Sequence, residues 1–251
     1  MAFTRSARGD TLPDPPPQIR ESPVAQPVRP FPLDRAVPGP HAGQPVFASG
    51  APLQDARAAV VLVHGRGGSP WDMLGLSAAL HAPDVAFVAP QAAGNVWYPL
   101  RFLAPPADNE PWLSSGFDLL RTCVETIERH GVPRRRMVLL GFSQGGCLAL
   151  HFGATHAARW GGLIGLSAGL IGPPGVPWTF DGSLDGTPVV LGCSDHDPHI
   201  PESRLHESAD ALRALGGDVT LTIYPGLGHA VNAGEIAQVD GVISALTENR
   251  A

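Results

Sequence analysis

Several stretches of this chain are apolar at every position rather than at every second one. AAVVLV at 58–63 and MVLLG at 137–141 are the clearest. A strand with one wet face alternates apolar and polar side chains, so unbroken apolar runs of this length fit strands covered on both faces. Further strand-like runs fall at 46–49, 85–89, 163–167, 189–193 and 219–224. Between them apolar residues recur at helical spacing. Leu113, Phe117, Leu120, Val124 and Ile127 form one stripe, and Leu205, Ala209, Leu212 and Leu215 form a second that Gly216 ends. Ile236, Val239, Ile243 and Leu246 form a third, opened by a capping-box pair, Asn232 and Glu235. Ser69-Pro70-Trp71-Asp72 reads as another helix start. Strands alternating with helices predict an α/β domain, doubly wound, with a mostly parallel sheet of about seven strands and helices on both faces. Chemistry in such sheets gathers at the carboxyl ends of the strands.

The chain's 251 residues suffice for one such core. With 43% hydrophobic and 16% charged residues it reads as folded, and its net charge of -6 argues against a nucleic-acid partner. No apolar run approaches the roughly 20 residues that span a bilayer, and the first residues lack the apolar core of a secretory signal. The expectation is a cytoplasmic protein without integral membrane association. Cys123, Cys147 and Cys193 are sparse and odd in number, as suits buried free thiols. No Cys or His pair has metal-ligand spacing, so no metal is expected. Residues 1–45 are dense in proline, including Pro15, Pro16, Pro17, Pro38, Pro40 and Pro45. They read as an extension, mobile or lying along the surface of a domain at 46–251. Deleting residues 1–40 is expected to change whatever activity the domain carries by no more than a few-fold, on the order of an ordinary surface change.

The strongest chemical signal is Gly141-Phe142-Ser143-Gln144-Gly145. Alone, G-x-S-x-G is a weak pattern. Here the buried-type strand MVLLGF leads into it and the apolar helix CLALHFG leaves it, which is the context of a nucleophile elbow. The tight turn strains the serine backbone and leaves no room for side chains at the flanking glycines. A serine hydroxyl needs a base to take its proton. Of ten histidines, His229 stands on the Gly-rich loop after the last strand. The base in turn needs a carboxylate to hold its tautomer. The strand at 189–193 runs into Ser194-Asp195-His196-Asp197-Pro198, where either aspartate has the right position. Two backbone donors must hold the tetrahedral oxyanion. Gln144 supplies one N–H, just after the nucleophile. Arg66 supplies the other, from the loop His64-Gly65-Arg66-Gly67-Gly68 after the strand at 58–63. That loop lacks the Lys of a P-loop and does not complete G-x-G-x-x-G, so phosphate binding is disfavoured. His64 reads as a residue that orients the loop rather than a second base.

The set HGRGG, GFSQGG, DPHIP and GLGHAVN, in this order, resembles the phospholipase/carboxylesterase family, which includes the acyl-protein thioesterases. The resemblance extends from about Ala58 to Leu246 as a pattern of strands and helices. It implies the α/β-hydrolase fold, and hydrolysis of carboxylic esters, thioesters or lysophospholipids with no cofactor. It also implies that the triad acid is the aspartate of D-P-x-[VI]-P, here Asp197, and that the oxyanion donors are Arg66 and Gln144. Two features depart from the family. Arg66 stands where the thioesterases usually carry an apolar residue, which biases the site toward acidic or polar acyl groups. The proline-rich extension has no counterpart.

The long loop 95–103 carries Trp97, Tyr98 and Phe102. These aromatics either line an acyl pocket or pack the loop onto the core. The expected protein is therefore a carboxylesterase acting on a small-molecule acyl ester through Ser143, His229 and Asp197. A thioesterase or lysophospholipase with the same triad is the first alternative, and a catalytically silent binding module the second. The oligomeric state is open, a homodimer included.

Overall fold

Each of the unbroken apolar runs becomes a strand. The computed structural model describes residues 27–80 and 82–248. In β3 (Ala58–Val63) all six residues are buried. Ala59, Val61 and Val63 join the core on one face, whereas Ala58, Val60 and Leu62 join that on the other. The remaining strands are β1 (Arg29–Pro30), β2 (Val46–Gly50), β4 (Val85–Pro90), β5 (Met137–Phe142), β6 (Gly162–Leu166), β7 (Pro188–Ser194) and β8 (Asp218–Tyr224). They form one sheet in the order β1-β2-β4-β3-β5-β6-β7-β8. β1 and β2 pair antiparallel at one edge, and all pairs from β4 to β8 are parallel. Side chains of α2 (Trp112–Arg129), α3 (Ser143–Thr155) and α4 (Glu202–Ala214) fill one core; α1 (Pro70–Ser77) and α5 (Ala233–Glu248) supply the other.

The helix starts follow the sequence. Ser69 N–H donates to Asp72 Oδ2 at 2.7 Å before α1. Asn232 N–H donates to Glu235 Oε2 and Glu235 N–H to Asn232 Oδ1, both at 2.9 Å, which closes the capping box of α5. All three cysteines are buried free thiols. No described helix is long and apolar enough to cross a membrane.

The sheet has eight strands rather than about seven, and the additional one comes from the proline-rich segment. β1 is two residues long and sits at the sheet edge, where a proline costs no ladder hydrogen bond. Such a strand carries no periodicity to be read. Arg29 fastens it, its guanidinium donating to the carbonyls of Gly50 (3.1 Å) and Ala51 (3.0 Å). Val37 enters the core and His41 is buried, with its Nδ1 accepting from Ala93 N–H (3.1 Å) and its Nε2 donating to the Trp97 carbonyl (3.0 Å). Residues 27–45 thus pack on the domain, and residues 1–26 of the expected extension lie outside the described residues. Deleting residues 1–26 should leave kcat within a few-fold, on the order of a surface change. Deleting 1–45, which also removes His41 and Val37, should lower the thermal midpoint by several degrees, as a loss of about 1–2 kcal/mol does. Equal midpoints for the two truncations would show that 27–45 contributes nothing.

Burial leaves several imidazoles poorly placed to accept a proton. Burial pushes His151, packed between Phe117 and Phe180 with an unpartnered Nδ1, down to about 4. It also lowers His41 and His64, against opposing backbone hydrogen bonds. In the unfolded chain a histidine titrates near 6.5. Below that pH the unfolded state binds protons that the folded state refuses, so stability falls as pH falls from about 6.5 toward 4. The urea midpoint should therefore drop between pH 7 and pH 5, less so in His151→Phe. A midpoint constant across that range would refute the assignment.

Candidate active site

The chain leaves β3 for β4 on one side and returns to β5 on the other, so the strand order reverses between β3 and β5. A crevice at such a reversal is the usual ligand site of an open parallel sheet. Here the loop His64-Gly65-Arg66 follows β3, and Ser143 follows β5 directly. Ser143 has φ +52, in the left-handed region that side-chain-bearing residues avoid. The glycines around it are steric requirements. A Cβ on Gly141 would lie 2.4 Å from the Gly145 carbonyl oxygen, and one on Gly145 would lie 2.3 Å from the carbonyl oxygens of Val63 and His64. The elbow thus presses α3 against β3 and β5 and lifts the serine above the strand ends.

His229 follows β8 and Asp197 follows β7. His229 Nε2 lies 2.9 Å from Ser143 Oγ, and His229 Nδ1 lies 2.7 Å from Asp197 Oδ2. With Nδ1–H donating to the carboxylate, Nε2 is the acceptor for the serine hydroxyl. The Asp197 side chain is fully buried. Its Oδ1 accepts the backbone N–H of His199 (2.8 Å) and Ile200 (3.1 Å), and its Oδ2 also accepts the Cys193 thiol at 3.4 Å. Burial works to raise this carboxyl, but the hydrogen bonds from His229, His199 and Ile200 outweigh it and hold the group below the usual carboxylate range. Burial also pushes the Cys193 thiol up to about 12, so it stays a protonated donor. Asp195 points elsewhere. Its Oδ1 accepts Gly226 N–H at 2.8 Å and pairs with His196 at 2.9 Å, and these contacts hold its carboxyl down at about 2. It ties the His229 loop to β7 without touching His229.

Ser143, His229, Arg66 and Gln144 line one cavity of about 530 Å³. Tyr98 and Phe102 line it as well, with Leu100 and Ile200. Trp97 does not, which corrects one expected pocket residue. Its ring is fully buried behind the loop, and its Nε1–H donates to the His64 carbonyl at 2.7 Å. Satisfying the indole N–H decides its orientation. His64 itself is buried, with Nδ1 2.7 Å from the Gly65 carbonyl and Nε2 accepting Ala92 N–H at 3.1 Å. Both nitrogens are engaged, as suits a residue that shapes the loop. Among the described residues no group of three His, Cys, Asp or Glu is placed to share a metal ion.

The side chains of Arg66 and Gln144 have a task the sequence did not reveal. Gln144 accepts Trp97 N–H (3.0 Å) and donates to the Tyr98 carbonyl (2.8 Å). Arg66 donates to the carbonyls of Tyr98 (2.8 Å) and Leu100 (2.7 Å). Together they clamp the pocket wall at 97–100 to the turns that carry the two expected oxyanion amides. His41 holds the same loop from below through the Trp97 carbonyl. Arg66→Ala keeps the backbone N–H, so kcat on a small neutral ester should fall less than about tenfold, against roughly 10²–10³ for a lost oxyanion donor. KM should rise as the loop loosens. A hundredfold fall in kcat with the fold intact would make the guanidinium itself catalytic.

A sequence profile described as phospholipase/carboxylesterase matches residues 46–247. The acyl-protein thioesterase 1 of Gibberella zeae is 35% identical over 119 residues, 45% of this chain and 49% of that protein. The chain thus spans about half the length of that relative. The acyl-protein thioesterase 1 of Emericella nidulans is 26% identical over 216 residues, 75% of this chain and 90% of that protein. The crystal structure of a phospholipase/carboxylesterase from Dyadobacter fermentans is 38% identical, with a TM-score of 0.77 over 80% of this chain and 97% of that one.

Proposed function

Because the chain belongs to the phospholipase/carboxylesterase family, we propose that it is a serine carboxylesterase that cleaves small acyl esters through an acyl-enzyme on Ser143. The observation that carries this reading is the continuous relay from Ser143 Oγ through His229 to Asp197 at the wall of one cavity. His229 Nε2 takes the hydroxyl proton as Oγ attacks the ester carbonyl. Asp197 keeps the proton of Nδ1 in place and stabilises the imidazolium. The amides of Arg66 and Gln144 hold the oxyanion, the latter at the N-terminal turn of α3. The imidazolium then protonates the leaving alcohol. A water molecule, activated by the same Nε2, releases the acid. Nothing in this cycle calls for a metal or organic cofactor.

A thioester substrate is the second reading, favoured by the names of the fungal relatives. The catalytic unit in this proposal is residues 46–251, with 1–45 as an extension whose part 27–45 packs against it. The buried free thiols support a reducing compartment, the cytoplasm. Labelling by a fluorophosphonate probe that is abolished in Ser143→Ala supports the hydrolase. Absence of labelling in the folded native protein would favour a silent binding module. A panel of alkyl esters, acyl-CoAs and lysophospholipids then separates ester from thioester preference.

A further inference from the structure

The charged lining of the cavity has a single sign. Arg66 and Arg101 contribute to it, and no Asp or Glu does. The remaining wall is largely apolar, with Leu100, Phe102, Phe142 and Ile200. The two arginines differ in what they are free to do. The Arg66 guanidinium is held by the carbonyls of Tyr98 and Leu100. Arg101 is exposed at the rim, and none of the ion pairs found among the described residues involves it.

A third guanidinium stands behind the wall. Arg204 is 2% exposed, and its side chain packs 4.9 Å from the Trp178 ring centroid. Its Nε meets Glu207 at 3.3 Å, but Nη1 and Nη2 are buried with no hydrogen-bond partner. Its charge reaches Cys147, which lines the cavity. The one nearby catalytic anion, Asp197, is already saturated by His229, Cys193 and two backbone amides. An apolar cleft lined by two arginines and no carboxylate concentrates anions, and guanidinium groups match carboxylates in geometry.

We propose that the acyl group taken by this cavity carries a free carboxylate, so that the substrate is a half-ester of a short dicarboxylic acid, its ester carbonyl at Ser143 and its carboxylate at Arg101. The inference rests on the esterase reading above and adds its substrate class. A neutral acyl chain fills the same apolar wall but leaves Arg101 to water. The carboxylate adds a charge-assisted contact at the rim, in the positive field to which Arg66 contributes.

The test compares monomethyl glutarate with methyl valerate, two methyl esters of equal acyl length, by titrating the acid released. Alkyl esters avoid self-cleavage by the free carboxylate. In the native protein kcat/KM for the half-ester should exceed that for the neutral ester by about two- to fivefold, the scale of a partly exposed charge pair. The ratio should shrink as salt is added. It should fall to about one in Arg101→Gln, fall below one in Arg101→Glu and largely survive in Arg101→Lys. Ser143-dependent cleavage of methyl valerate with no preference for the half-ester overturns the inference and leaves the esterase standing. A preference that Arg101→Glu does not reduce overturns it too. Failure to cleave either ester, together with no fluorophosphonate labelling, overturns the esterase reading and this inference with it.

Discussion

Ser143→Ala should lower kcat on a soluble ester by roughly 10⁵–10⁶-fold, the scale seen when a hydrolase of this kind loses its nucleophile. The expectation follows from the geometry of one oxygen. Oγ is the atom 2.9 Å from His229 Nε2, and alanine removes it while keeping the Cβ. Because serine and alanine meet the same steric penalty at φ +52, the elbow gains no new strain. The remaining rate would come from the oxyanion donors and substrate binding. The measurement is kcat with circular dichroism and a thermal midpoint as controls. A folded variant that retains more than about one per cent of the native kcat would remove Ser143 from the role of nucleophile. Ser143→Gly is a useful companion. It also lacks Oγ, but glycine relieves the left-handed backbone strain of about 1 kcal/mol. Equal inactivity with a higher thermal midpoint would show strain held at the elbow apart from the chemistry.

Much of this was legible because the strands are buried on both faces. Two-sided burial leaves no polar position in a run such as 58–63, so sequence and structure agree there to the residue. The Gly141 and Gly145 positions were equally legible, since a backbone carbonyl fills the space of each missing side chain. What stayed hidden depends on contacts between distant segments. β1 is two residues of a proline-rich stretch, recognisable only once β2 offers it an edge. His41 looked like part of a tail, yet it reaches 56 residues along the chain to the Trp97 carbonyl. For Trp97 the sequence left pocket lining and packing onto the core equally open. Its indole N–H needed an acceptor, and the His64 carbonyl turned it inward. The side chain of Arg66 was read as a bias on substrate charge. Two of its donated hydrogen bonds hold the loop as well, a contact that only the fold brings about.

Asp197→Asn should lower kcat by about 10²–10⁴, whereas Asp195→Asn should cost less than about tenfold. Sequence position left the two open, and the resemblance favoured Asp197. Hydrogen-bond arithmetic now supplies a physical reason. The Asp197 carboxylate accepts on both oxygens: Oδ1 from His199 and Ile200, Oδ2 from His229 and Cys193. An amide has only one acceptor oxygen. If that oxygen stays with the two backbone amides, the NH₂ group faces His229 Nδ1. The imidazole must then turn Nδ1 into an acceptor and place its proton on Nε2, where it cannot take one from Ser143. If the amide flips, the NH₂ group faces two backbone N–H donors and the loop after β7 loses its anchor. Either way the relay breaks. Asp195 has a simpler duty, accepting Gly226 N–H on Oδ1, and an asparagine carbonyl can do the same. Its carboxyl, held down at about 2, is ionised at ordinary assay pH. The decisive measurement is kcat/KM of both variants on one ester, with the fold checked by circular dichroism. The reverse ranking would transfer the acid of the relay to Asp195 and require a rearranged His229 loop.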